Sequence, residues 1–110
     1  MKTPTIPDKW VILKITHNDN AIYKVFATWY GGYLDGDRWQ LNSGIVKIED
    51  DEKSFKFYGH SGSCYLCYKD AYGTNNYTQS ILISMTEKAN NNNAIIEVLE
   101  PNSDFLNILN

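Results

Sequence analysis

Between Trp10 and Tyr30 the sequence holds two strand-like runs with almost nothing between them, and this spacing limits the fold more than any other feature. Trp10 to Thr16 is apolar apart from Lys14 and the closing threonine. After His17-Asn18-Asp19-Asn20, four residues suited to a turn, Ile22 to Tyr30 forms the second run. A connection that short joins antiparallel neighbours, because a parallel crossover needs a dozen or more residues. Along the second run Tyr23, Val25, Ala27 and Trp29 fall on one face, while Ile22, Lys24, Phe26, Thr28 and Tyr30 fall on the other. Both faces offer packing surface, which predicts a central strand rather than an edge.

The same rhythm continues. Gly31 to Asp37 interrupts it with three glycines in seven residues, a loop that needs backbone freedom. Short strands are expected at Arg38 to Leu41, Gly44 to Glu49, Ser54 to Gly59 and Ser63 to Lys69, and the four acids from Glu49 to Glu52 read as a solvated hairpin turn. The segment 74–93 carries two patterns. Ile81, Ile83 and Met85 alternate like a strand, whereas Thr78, Leu82, Met85 and Ala89 keep helical spacing and lead into four asparagines, Asn90 to Asn93, suited to a helix end. The helical pattern is the longer and is the one expected here. Ala94 to Leu99 then reads as a last strand, and Phe105, Leu106, Ile108 and Leu109 as a short turn docked on the body. The expected fold class is α+β, a curved antiparallel β-meander of six to seven strands with one helix; an all-β barrel is the alternative. The 110 residues suit a single domain, with 1–8 and 100–110 peripheral.

Composition narrows function mainly by exclusion. Residues 1–48 carry six bases and four acids and residues 49–110 four bases and nine acids, and the lysines form no run. A phosphate-backbone binder gains affinity from clustered bases, so nucleic-acid binding is disfavoured. No apolar stretch approaches the roughly 20 residues of a membrane span, and the polar N-terminus with Pro4 and Pro7 has no signal-peptide core. A cytoplasmic protein without a membrane role is the expectation.

Three short constellations could carry chemistry. His60, Cys64 and Cys67 supply three ligands for a soft metal, but residues three apart in a strand face opposite sides, so buried, inert cysteines are expected and metal binding is only a weak candidate. Gly59-His60-Ser61-Gly62-Ser63 sets a histidine beside two serines, yet position 63 is not the glycine of a nucleophile elbow. A turn whose amides and hydroxyls could hold a ligand fits it better. Asp35-Gly36-Asp37 lacks the further oxygen ligands of a calcium loop and reads as a polar turn.

Aromatic rings beside glycines are the least ordinary feature. Trp29, Tyr30, Tyr33 and Trp39 flank the first glycine loop, and Tyr58 and His60 stand at the second. Rigid rings give contact area at low entropic cost, so these six residues are the candidate binding surface of a non-catalytic module for a protein partner or a small polar ligand. Self-association into a homodimer through a sheet face is an allied expectation. The competing reading is a small hydrolase using His60 with Ser61, Ser63 or Asp35. No cofactor motif is present.

Overall fold

The computed structural model describes residues 3–31 and 36–109. The hairpin is formed by β1 (Lys9–His17) and β2 (Asn20–Trp29), paired without a break from Lys9 opposite Thr28 to His17 opposite Asn20. Only Asn18 and Asp19 lie between, with φ of 50° and 66°. This is the two-residue turn whose twist matches that of the strands, and Asn and Asp tolerate the left-handed backbone it requires.

The hairpin forms the middle of a four-stranded antiparallel sheet. β3 (Arg38–Leu41) adds to β2, and β7 (Ala94–Val98) adds to β1. Trp10, Ile12, Val25 and Ala27 point to one side and Val11, Leu13 and Phe26 to the other, and all seven are buried. The first side is covered by a three-stranded antiparallel sheet, β4 (Ile45–Asp51), β5 (Ser54–Gly59) and β6 (Cys64–Tyr68), which contributes Ile45, Phe57, Tyr65 and Cys67 to the core. The second side is covered by the helix α1 (Asn76–Asn91) through Leu82, with Ile81 and Met85 beside it. The class is therefore α+β, and among the described residues the strands do not close into a barrel.

Helical spacing prevails over alternation in α1 because it matches the buried stripe: Thr78 and Leu82 are buried, whereas Ile83 is 53% exposed. The helix starts at a reciprocal cap, in which Thr78 N–H donates to Asn75 Oδ1 at 2.8 Å and Asn75 N–H donates to Thr78 Oγ1 at 3.0 Å. It ends where Asn93 turns left-handed, with φ of 62°.

The inter-sheet layer centres on Trp10. Its ring lies 4.7 Å from Tyr72, 5.4 Å from Phe57, 5.5 Å from Phe105 and 6.3 Å from Phe55, and its Nε1 donates to the Tyr68 carbonyl at 2.7 Å. Tyr72 extends the ladder where β7 stops: its hydroxyl accepts from Ile12 N–H at 3.2 Å and donates to Leu99 carbonyl at 2.6 Å. Along the free edge of β6 runs the N-terminal segment, with Thr5 N–H donating to Cys64 carbonyl and Leu66 N–H donating to Thr5 carbonyl, both at 2.8 Å.

Asn42 is the corner at which the chain changes sheets. Its Oδ1 accepts from Val25 N–H at 2.8 Å and its own N–H donates to Val25 carbonyl at 3.1 Å, so this one residue replaces a strand partner before the chain turns away at Gly44 into β4. Asn42 is only 3% exposed, and its loss strands a buried N–H, which costs about 1–3 kcal/mol. Asn42→Ala is predicted to lower stability by that amount in urea unfolding, and Asn75→Ala by about 1 kcal/mol through the lost cap. An Asn42→Ala midpoint equal to that of the parent protein would contradict the corner role.

Candidate functional site

Of the five aromatic rings and one imidazole singled out by the sequence, the described ones are distributed over different faces. Trp29 ends β2 on the inter-sheet side, half-buried, with its Nε1 donating to Ile6 carbonyl at 2.9 Å and the Arg38 guanidinium 5.3 Å from its ring centre. Tyr30 lies beside it, exposed, its N–H donating to Asp8 Oδ2 at 2.8 Å. With Gly31, Gly36 and Asp8 these residues line a polar recess of about 460 Å³. At Gly31 a Cβ would stand 1.3 Å from the Gly36 carbonyl oxygen, so only glycine fits where the loop closes. Trp39 pairs with Thr28, takes the opposite face and stacks on Phe26 at 5.5 Å on the helix side of the sheet. Tyr58 belongs to the other sheet. Tyr33 and Asp35 lie outside the described residues.

His60 belongs to a separate cleft, which the turn 59–63 helps to build. His60 N–H donates to Gly44 carbonyl at 2.8 Å and Ser61 N–H donates to Ser43 Oγ at 2.9 Å, which ties this turn to the link between the sheets. Ser43 Oγ, Ser63 Oγ and Asn42 Nδ2 crowd onto Gly59, where a Cβ would meet them at 2.9, 2.6 and 3.3 Å. Beyond lies a cleft of about 280 Å³ between the start of β2 and the start of β4, lined by Ala21, Ile22, Tyr23, Ile45, Val46, His60, Ile108 and Leu109. Its rim is apolar and open: Ile22 is 49%, Val46 56% and Leu109 41% exposed. Among the described residues the His60 imidazole has no hydrogen-bond partner and no carboxylate lines the cleft. Alternation at Ile22 and the apolar pair Ile45-Val46 after Gly44 are the sequence signals for this wall, and spacing alone does not join them.

The serine-histidine grouping is not assembled as a nucleophile and base. Ser61 Oγ is 3.1 Å from Ser43 Oγ, and Ser63 Oγ is turned onto Gly59. Cys64 and Cys67 are both free thiols, both buried, and burial pushes both upward, which disfavours the thiolate that attacks or ligates. Among the described residues no group of three His, Cys, Asp or Glu side chains is placed to hold a metal ion. No described helix is long and apolar enough to cross a membrane.

Tyr58 faces out from the second sheet toward β4. Its hydroxyl donates to Glu49 Oε1 at 2.6 Å, and Lys47 lies 5.3 Å over its ring. That bond lowers the Glu49 carboxyl below its ordinary range and, with some desolvation, pushes the Tyr58 hydroxyl up to about 12.

Comparison with protein-family models, with curated proteins and with solved structures finds no match to this chain.

The Tyr58 pair makes a titration prediction. A tyrosine in the unfolded chain ionises near 10, so the contribution of this bond is complete below about pH 10 and is lost as pH rises toward 12. Glu49→Gln removes the carboxylate, and at pH 11 the folded variant should show more tyrosinate absorbance at 295 nm than the parent, by about one tyrosine. Identical absorbance in the two proteins would contradict the pairing.

Proposed function

We propose that this chain is a non-catalytic binding module and that the cleft between β2 and β4, beside His60, is where it takes its partner. The observation that carries this is a cleft with apolar side chains held open to solvent around it. Ile22, Val46 and Leu109 are about half exposed, so a ligand that covered them would recover about half of the roughly 1.5–3 kcal/mol that full burial of each such side chain contributes. A concave, mostly apolar wall with a few polar groups is the usual make-up of a ligand site. His60 and Ser43 supply those groups at its rim. The ligand that fits is an apolar segment of a protein partner, or a small molecule with an apolar body and one polar group. Against the hydrolase reading stands the imidazole of His60, which is hydrogen-bonded to neither a serine nor a carboxylate among the described residues.

The aromatic recess at Trp29 and Arg38 is a different locality, and this distinguishes the two surfaces experimentally. An apolar anionic fluorophore such as anilinonaphthalene sulfonate should bind the native protein saturably with a blue-shifted emission. Ile22→Asp or Val46→Asp should weaken it about tenfold, a change of about 1.4 kcal/mol. Trp29→Ala and Trp39→Ala should leave it unaltered. Absence of binding to the native protein, or binding indifferent to Ile22 and Val46, would refute the cleft as the site.

A further inference from the structure

The walls of the cleft are strand edges. From Phe26 to Thr28, β2 pairs with β1 on one side and β3 on the other, and at Val25 Asn42 stands in for a strand; from Asn20 to Lys24 its ladder partner among the described residues is β1 alone. Hairpin geometry fixes where the remaining groups point. A two-residue turn makes His17 and Asn20 a hydrogen-bonded pair, and alternation along the unbroken ladder gives Ile22 and Lys24 their bonds to β1. The N–H and C=O of Ala21, Tyr23 and Val25 point away from β1. Val25 obeys this rule, since both its groups bond to Asn42. Ala21 and Tyr23 lie in the cleft wall, and β4, whose first residues form the facing wall, has no strand on its outer edge among the described residues.

We propose that the cleft receives one extended peptide strand, which adds to β2 at Ala21 and Tyr23, antiparallel to β2 and in line with β3. This rests on the reading of the cleft as the binding site and names the chemistry of its ligand. The occupant is argued from the interface already there. The same edge of β2 carries an extended antiparallel chain at Phe26–Trp29, and that chain leaves the edge only because Asn42 turns it toward the second sheet. An incoming strand continues this interface with the same alternation of donors and acceptors, which is how sheet edges take peptides. Its residues opposite Tyr23 and Ala21 share their face, toward Ile45 and Ile108, and the residue opposite Ile22 faces the other way. The ligand is therefore a segment whose alternate residues, those opposite Tyr23 and Ala21, are apolar.

The blocked pentapeptide Lys-Val-Thr-Val-Lys, titrated into the nitrogen-15-labelled full chain, tests this directly. The expected result is saturable shifts at Ala21, Ile22 and Tyr23, slowed amide exchange at Ala21 and Tyr23, and at least tenfold weaker binding once both valine nitrogens are methylated. Equal binding of the methylated peptide, or shifts confined to another face, would overturn strand addition. If the peptide fails while the fluorophore still binds at Ile22 and Val46, strand addition is wrong and the cleft stands; if both fail, both are wrong. Protection of Ala21 and Tyr23 that appears with rising protein concentration and no peptide would assign the edge to a second copy and also overturn the proposal.

Discussion

The structure depends on a hairpin that is apolar on both faces. Trp10, Ile12, Val25 and Ala27 on one side and Val11, Leu13 and Phe26 on the other must all leave water, and a single sheet cannot hide both sets. The rest of the chain supplies the two covers. α1 brings a Thr78, Leu82 and Met85 stripe to one face, and the three-stranded sheet brings Ile45, Phe57, Tyr65 and Cys67 to the other. Trp10 is the point at which the second cover is locked, because four aromatic rings meet its indole and the Nε1 donates to the carbonyl of Tyr68, the last residue of β6.

Covering the hairpin on both faces has a consequence at its edge. To reach the second layer the chain must abandon β2 after four paired residues of β3, and Asn42 makes that departure by satisfying Val25 with one side-chain oxygen and one backbone N–H, while its own Nδ2 stays buried without a hydrogen-bond partner among the described residues. Among the described residues the edge from Lys24 back to Asn20 is then left without a strand neighbour, and the seam between β2 and β4 stays open. Ile108 and Leu109 close one part of it and the turn 59–63 borders another. The binding surface proposed for this chain is thus a by-product of how its core is built, with backbone groups as its polar component.

Much of the architecture was legible in sequence. The hairpin, a turn within His17 to Asn20, the central position of β2 and the choice of helix over strand within 74–93 all follow from periodicity and turn chemistry, while the narrowing of the turn to Asn18 and Asp19 came from the structure. The division into two sheets was not, because Asn42 and Ser43 look like any hairpin turn until Val25 is seen to need a partner. The aromatics were legible as a group and not as individuals. Trp29, Trp39 and Tyr58 sit on three different faces because their strands set their parity, while Trp10, Phe57 and Tyr72, unremarkable in composition, hold the core. His60 was legible as a turn residue beside serines; the apolar wall it meets draws on residues 21–23, 45–46 and 108–109, which no local pattern connects.

The most direct measurement is residue-resolved amide hydrogen exchange across β2 in the free protein. Slow exchange at Ile22 and Lys24, slow exchange at Val25, and fast exchange at Ala21 and Tyr23 are expected, since the first two bond to β1, the third to Asn42 and the last two face the open seam. Uniform protection from Ala21 to Val25 would mean that the edge is already occupied, and uniform fast exchange that β2 is not the buried centre of the fold.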